Sequence, residues 1–262
     1  MIRWRPERDE IDEADLASVG GLDAVVHLAG AGIADKRWSA ARRNEILESR
    51  TSSTALLARA LPQMSHPPRV VASGSAIGIY GSRGDEILTE DSPPGRDFLA
   101  DVCRQWEDAA QPLESAGILV PRLRTGIVMS ARGGALKKQL PLFRAGLGGR
   151  LGSGHQWTSP ISLRDQVRAI LFLLESDLTG PVNLTSPEPV TNRDFTARLA
   201  AAVHRPGRAT VPPFALRLAL GSDLTNDALL ASQRVLPSRL LDAGFVFDDA
   251  TLDAVLASAL AA

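Results

Sequence analysis

Residues 23–30 read Asp-Ala-Val-Val-His-Leu-Ala-Gly, a short apolar run that ends in glycine. Such a run is typical of a strand that is buried on both faces of a parallel sheet. Residues 69–73, Arg-Val-Val-Ala-Ser, have the same character and predict a second buried strand. The interval between the two runs can hold one helix, so the pair favours a parallel βαβ unit.

Helical patterns fill the segments between the predicted strands. Ser39 is a suitable N-cap for a helix over 42–61, which Pro62 ends. The same reasoning predicts helices over 97–116, 164–174 and 192–204, and strands over 118–123 and 181–185. This alternation predicts an α/β fold with a doubly wound parallel sheet, Rossmann-like in its strand and helix lengths.

The chain divides into two parts on this pattern. We predict an α/β domain over 1–185, in which residues 130–163 form a glycine-rich, loop-rich insertion for the substrate. Residues 211–262 contain short helical runs at 215–220, 226–231 and 250–261 and predict a small α-rich appendage.

Composition excludes several classes of protein. The 262 residues carry 29 basic and 30 acidic side chains, which gives no general case for binding nucleic acid or an acidic membrane surface. The single Cys rules out a disulfide framework, and no cluster of ligand residues has metal-site spacing. The chain has no signal-like start and no apolar run of about 18 residues, so we expect a cytoplasmic protein.

One part of the chain is strongly basic. No acid occurs between Glu114 and Asp165, a window that contains Arg122, Arg124, Arg132, Lys137, Lys138, Arg144, Arg150 and Arg164. These residues form either a solvated face whose partners come from elsewhere in the fold, or a site for phosphate or carboxylate groups. In the second interpretation, Arg124 ends a strand and Arg144 and Arg150 flank the glycine-rich loop.

Several longer motifs resemble a known family. Residues 73–81, Ser-Gly-Ser-Ala-Ile-Gly-Ile-Tyr-Gly, and Asp165 at the start of a helix resemble the extended short-chain dehydrogenase/reductase superfamily. Finer motifs resemble the YfcH-like epimerase-family proteins, which sometimes carry the label of cell-division inhibitor; they lie at 37–39, 97–100, 124–128, 148–157 and 180–189. Residues 211–262 resemble the C-terminal domain of unknown function of that branch.

The resemblance implies that a cofactor-binding unit precedes the strand at 23–30. Family members begin with a strand, a Gly-x-x-Gly-x-x-Gly turn and a helix, whose N-terminus binds the cofactor pyrophosphate. The chain has no such segment before residue 23, so we expect the first βαβα unit to be missing. We then expect the strand at 23–30 to form an apolar edge, the protein to be poorly soluble and NADP(H) to bind weakly or not at all.

The resemblance also bears on catalysis. Superfamily enzymes use a Tyr-x-x-x-Lys pair for acid and base chemistry, but Leu99 and Cys103 occupy those positions when Glu107 is aligned. Ser75 falls at the position of the catalytic serine, so Ser75 and Glu107 are the catalytic candidates. Glu107 also fits a carboxylate on the helix surface, and Tyr80 fits a structural role or the lining of the cleft.

Ligand-binding candidates follow from the same resemblance, which implies NADP(H) at the ends of the predicted strands. The cofactor-binding candidates are His27, Leu28, Ala29, Gly30, Arg50, Ser73, Arg124 and Thr125. The substrate-binding candidates, in and around the glycine-rich loop, are Arg144, Arg150, His155 and Trp157.

Two functions remain open. The first is an NADP(H)-linked oxidoreductase, or nucleotide-sugar-epimerase-like enzyme, that acts on a small anionic substrate. The second is a non-catalytic nucleotide-binding or regulatory protein, which the missing Tyr and Lys favour.

Overall fold

A computed structural model of the chain describes residues 2–207 and 209–261. The strands in chain order are β1 (Trp4–Arg5), β2 (Glu10–Ile11), β3 (Ala24–His27), β4 (Val70–Ala76), β5 (Ile87–Leu88), β6 (Pro121–Thr125), β7 (Ile127–Met129), β8 (Gly149–Leu151), β9 (Trp157–Thr158), β10 (Pro160–Ser162), β11 (Gly180–Leu184), β12 (Val190–Thr191), β13 (Ala209–Val211) and β14 (Arg234–Val235). The helices are α1 (Glu13–Ser18), α2 (Ala40–Ala60), α3 (Phe98–Asp108), α4 (Gln111–Ser115), α5 (Gly134–Arg144), α6 (Leu163–Glu175), α7 (Asn192–Ala202), α8 (Pro213–Leu220), α9 (Ser222–Leu224), α10 (Ser238–Asp242) and α11 (Leu252–Ala261).

The central sheet has the order β11-β6-β4-β3, and all four strands are parallel. Val71 of β4 packs in a core cluster with residues of α2 and α4. Its neighbour Ala72 packs in another cluster with residues of α6. Because neighbouring residues of a strand point to opposite faces, helices cover both faces of the sheet, which confirms the predicted fold class.

The strand register places three polar residues in one row across the sheet. Ser75 of β4 pairs with Arg124 of β6, which pairs in turn with Asn183 of β11. Residues paired in this way project from the same face, and this is the face that α2 and α4 cover. The row lies near the carboxyl ends of the strands, where open α/β sheets bind ligands.

Three predicted elements differ in the structure. The predicted helix over 97–116 is two helices, α3 and α4, because Pro112 has no N–H with which to continue the first. Residues 134–144, predicted as part of a loop-rich region, form α5, which has a proline within it at Pro141. In the tail, Thr225–Leu229 form a π-helical turn rather than part of an α-helix.

Residues of the C-terminal segment pack in the same core clusters as the helices of the α/β part of the chain. Leu240 and Phe245 join the cluster of α6, and α11 packs against α7 in another. The fully buried Asp165 carboxylate accepts hydrogen bonds from the backbone N–H groups of Asp248 (3.0 Å) and Asp249 (2.8 Å). The segment is therefore tied to the start of α6 by buried polar contacts as well as by apolar packing.

β3 lies at one end of the central sheet over the described residues. Its Val26 is 42% exposed, and Leu28 just after it is 54% exposed.

None of the helices in the described ranges combines the length and the apolar character that crossing a membrane requires.

Candidate functional site

A buried ion pair is the centre of the candidate site. Arg124 donates two hydrogen bonds to the Glu107 carboxylate, from Nε to Oε1 (2.8 Å) and from Nη2 to Oε2 (3.0 Å). The Ser75 hydroxyl donates to the same Oε1 at 2.7 Å. All three side chains are buried, so this bidentate, charge-assisted contact is well shielded from water. The structure thus brings together Ser75 and Glu107, the two residues predicted to be catalytic.

Sequence reasoning left Glu107 open as a surface carboxylate, and the structure corrects this. Asp97 caps α3 by accepting a hydrogen bond from the backbone N–H of Ala100 at 2.9 Å. The helix then buries Val102, Cys103 and Trp106 against the fold, together with Glu107. The spacing of the apolar residues could not show that Glu107 is buried, because it is the one charged residue on an otherwise apolar helix face.

The ion pair continues into a longer buried network. Arg124 Nη1 donates to the Tyr80 hydroxyl (3.0 Å) and to the backbone oxygen of Glu90 (3.1 Å). Tyr80 donates in turn to Asn183 Oδ1 at 2.6 Å, and the Asn183 backbone N–H donates to Glu90 Oε1 at 3.0 Å. Burial disfavours the charge of Arg124, but its hydrogen bonds to Glu107 and Tyr80 outweigh that effect and raise the pKa of Arg124.

Tyr80 acts in this network as a neutral hydrogen-bond donor. Burial, opposed in part by Arg124, raises its pKa from 10.0 to about 12. Tyr80 therefore stays protonated at neutral pH, which supports the structural role foreseen for it.

We expect a pH titration to show this directly, because Tyr80 is the only Tyr in the chain. Phenolate absorption should rise near pH 12 in the folded protein and near pH 10 in the urea-unfolded protein. The neutral phenol stabilises the fold fully below pH 10, and that contribution is lost as the pH rises to about 12. Phenolate appearing near pH 10 in the folded protein would contradict the network.

Two more buried groups are Glu90, which belongs to the network, and Cys103, which lies on α3 with Glu107. Burial raises the pKa of the Glu90 carboxyl, and its Oε2 has no hydrogen-bond partner. Burial also raises the pKa of the Cys103 thiol to about 12, so Cys103 is a packing residue rather than a reactive thiolate.

The cofactor-binding candidates lie around the carboxyl ends of β3, β4 and β6. His27 is buried, with Nε2 3.1 Å from Ser53 Oγ, and burial lowers its pKa. Ser73, its partner in the strand register, is buried with a hydroxyl that has no hydrogen-bond partner. The other candidates are Leu28, Ala29 and Gly30 in the exposed loop after β3, the half-buried Arg50, Arg124 in the ion pair and Thr125 at the end of β6.

The substrate-binding candidates lie in the glycine-rich segment and its neighbours. His155 Nε2 is 3.0 Å from Arg193 Nη2, and Trp157 Nε1 donates to Asp85 at 2.7 Å. Arg150 Nε donates to Thr210 Oγ1 at 3.1 Å, and Arg144 is exposed at the end of α5. None of these four side chains forms a hydrogen bond with Ser75, Glu107 or Arg124 among the described residues.

The basic residues between Glu114 and Asp165 are divided between the two interpretations, a solvated face with acidic partners and a site for anionic groups. Some members have acidic partners from elsewhere in the fold: Arg122 with Glu114, Arg124 with Glu107, Lys138 with Asp35 and Arg164 with Asp249. In particular, both ends of the Arg124 guanidinium are already bonded, so the structure separates Arg124 from the anion subsite proposed for Arg144 and Arg150. Those two make no ion pair with a described residue.

Sequence reasoning missed Asn183 and Glu90. Asn183 had one signal, a lone amide in the apolar strand Gly-Pro-Val-Asn-Leu. Glu90 lies in a polar turn, and no sequence signal marked it as a member of a buried network.

Over the described ranges, no group of three or more His, Cys, Asp or Glu residues is arranged to hold a metal ion.

Comparison with known proteins decides the family. The sequence profile of the NAD dependent epimerase/dehydratase family matches residues 7–100, and that of a domain of unknown function, DUF1731, matches residues 211–259. The epimerase family protein Mb2239 of Mycobacterium bovis is 42% identical over 256 residues, which are 97% of this chain and 83% of that protein. The chain belongs to the epimerase family.

Other members of the epimerase family agree with this assignment. The epimerase family protein SAR0825 of Staphylococcus aureus is 38% identical over 90% of this chain and 78% of its own length. The crystal structure of human SDR39U1 with NADPH has a TM-score of 0.88 and 31% identity, and covers 95% of this chain and 86% of its own. A nucleoside-diphosphate sugar epimerase from Corynebacterium glutamicum has a TM-score of 0.77 and 32% identity, over 98% of this chain and 49% of its own.

Proposed function

We propose that the chain is an NADP(H)-linked oxidoreductase or nucleotide-sugar-epimerase-like enzyme of the same branch as the YfcH-like proteins. The observation that carries the proposal is the hydrogen bond of 2.7 Å from the Ser75 hydroxyl to Glu107, at the ligand-binding edge of the sheet. The NADPH in the human relative supports the choice of cofactor.

The residues at this edge fit a nicotinamide group. Leu28 and Ala29 form an exposed loop after β3 that can cover an aromatic ring, and the buried Ser73 hydroxyl has no partner and can bond to an amide or a ribose hydroxyl. The nicotinamide supplies or accepts a hydride when it is bound.

Ser75 and Glu107 form a proton relay in this proposal. In the oxidising direction, Ser75 Oγ accepts the proton of a substrate hydroxyl while its own proton moves to the Glu107 carboxylate, and a bound nicotinamide would accept the hydride of the carbinol carbon. In the reducing direction, the proton moves from Glu107 through Ser75 to the carbonyl oxygen. Arg124 positions Glu107 through two hydrogen bonds and thereby fixes which oxygen faces Ser75.

The substrate in this proposal is small and anionic. Arg144 and Arg150 make no ion pair within the described part of the chain and border the glycine-rich loop, where they can bind a phosphate or carboxylate. Trp157, which has Arg234 4.3 Å from its ring centroid, would lie beside it.

A binding measurement tests the cofactor assignment and also detects weak complexes. In saturation-transfer NMR of the intact chain with NADP+, we expect the nicotinamide protons to receive more saturation than the adenine protons, because the fitting residues surround the nicotinamide half. Nicotinamide mononucleotide should displace the signal, whereas adenosine monophosphate should not. Saturation centred on adenine, or none at all, would contradict the proposal.

A further inference from the structure

The segment over 233–239 belongs to the C-terminal domain of unknown function and lies against the buried network that holds Arg124. Its strand β14 pairs with β5 in parallel. The backbone N–H of Leu236 then donates to the backbone oxygen of Leu88 at 2.9 Å. The segment is therefore joined to the chain just before Glu90, which is a member of the network.

Gln233 holds the turn over 77–80, which carries Tyr80. Its Nε2 donates to the backbone oxygens of Ile77 (3.1 Å) and Gly81 (3.3 Å), one on each side of Tyr80. Both N–H groups of the amide are thus used on the backbone of this turn. The buried Tyr80 hydroxyl accepts from Arg124 Nη1, so the position of the turn decides where that guanidinium group can point.

The Leu236 carbonyl sets the direction of the hydrogen bonds. A backbone oxygen can only accept, so Asn183 presents Nδ2 to Leu236 (2.9 Å) and Oδ1 to the Tyr80 hydroxyl (2.6 Å). Tyr80 uses its one proton on Asn183 and can therefore only accept from Arg124 Nη1. The other two nitrogens of Arg124, Nε and Nη2, remain for the Glu107 carboxylate.

A third contact of the segment fixes the second acceptor of Arg124 Nη1. That acceptor is the Glu90 backbone oxygen, at 3.1 Å. The Glu90 carboxylate in turn accepts from the backbone N–H groups of Asn183 (3.0 Å) and Arg239 (3.3 Å). All three nitrogens of the Arg124 guanidinium thus have protein acceptors, and the segment contacts the residues around Nη1.

We propose that the segment over 233–239, through Gln233 and the Leu236 carbonyl, positions Arg124 for its two hydrogen bonds to Glu107. Gln233 is then a positioning residue, because it acts through the turn of residues 77–80. A misplacement of about 1 Å in a supporting group can slow a reaction about 100-fold, so this geometry gives the C-terminal domain a part in catalysis. The step from a fixed ion pair to catalysis rests on the proposed function, whereas the fixed ion pair does not.

The Nε–H proton of Arg124 tests the inference in the intact, ¹⁵N-labelled protein without any need for activity. It donates to Glu107 in a buried site, so its exchange with water, followed by NMR, should be slow in the wild type. We expect Gln233→Glu, which cannot donate to the two backbone oxygens, to speed this exchange about tenfold or more. Gln233→Met should have the same effect without adding a charge. The matched control is Gln111→Met, which removes an exposed amide bonded to Asp108 and should leave the rate unchanged.

The backbone amides of α7 separate a local effect from a general one, because α7 lies in a different core cluster. We expect their exchange to be unchanged in both Gln233 variants. Equal Arg124 Nε–H exchange in the wild type and both variants would overturn the positioning role. So would an equal rise in the exchange of the α7 amides, which reports a general loss of stability.

Turnover then connects the segment to catalysis. On a substrate that responds with NADPH, both Gln233 variants should lower kcat about tenfold or more and leave KM within about twofold. Faster Arg124 exchange in a protein without turnover would keep the positioning role while contradicting the proposed function. Lower kcat with unchanged Arg124 exchange would keep the proposed function while overturning the positioning role, so the two failures are distinguishable.

Discussion

Replacing Arg124 by Met should destabilise the fold by about 3–5 kcal/mol, because it leaves the Glu107 carboxylate buried without its countercharge. Arg124 also donates to Tyr80 and to the backbone of Glu90, so the substitution removes bonds to the segment after β4 and to the turn before α3 as well. The free energy of unfolding, measured by urea denaturation followed by circular dichroism, reports the loss.

Two further variants separate the buried charge from the rest of the network. The double variant Arg124→Met with Glu107→Met should recover much of the loss, because no unpaired charge then remains. Arg104→Met, which removes a half-exposed partner of Asp101, should leave the stability nearly unchanged. If Arg124→Met cost no more than Arg104→Met, the buried ion pair would not stabilise this fold.

The elements of the sheet could be predicted because their signals are local. The β-branched runs before Gly30 and Ser73 mark β3 and β4, and Ser39 caps α2 as predicted by accepting a hydrogen bond from the backbone N–H of Arg42. Each of these signals depends on a few neighbouring residues and on the period of the apolar pattern. The break at Pro112 was present in the sequence, but the apolar pattern continued across it and concealed the end of α3.

The site could be predicted only in part because its contacts are long-range. Ser75 was identified from a motif, but its partner Glu107 lies 32 positions away and Asn183 lies 103 positions from Tyr80. Strand register decides that Ser75, Arg124 and Asn183 share a row, and a single sequence does not give register directly. Arg124 was predicted to bind a ligand anion because its long-range partner could not be identified from the sequence. In the fold, its guanidinium group pairs with the Glu107 carboxylate.

Ser75→Ala should lower turnover about 10²- to 10⁴-fold, because it removes the group that passes the proton between the substrate and Glu107. Glu107→Gln should have a comparable effect, since the amide cannot hold the relayed proton. The fold should tolerate Ser75→Ala, because the Arg124 hydrogen bonds still satisfy the Glu107 carboxylate. Ser115→Ala is the matched control, because that exposed hydroxyl only donates to the backbone oxygen of Gln111.

The most direct test is the rate of NADPH oxidation or NADP+ reduction by the wild type and by the variants Ser75→Ala, Glu107→Gln and Ser115→Ala. The wild type is first assayed against nucleoside diphosphate sugars and simple aldehydes, and the variants are then compared on any substrate that responds. We expect turnover by the wild type and by Ser115→Ala, and its loss in Ser75→Ala and Glu107→Gln with the nicotinamide contact retained. Full rates in both site variants, or nicotinamide binding without turnover of any compound by the wild type, would contradict the catalytic relay.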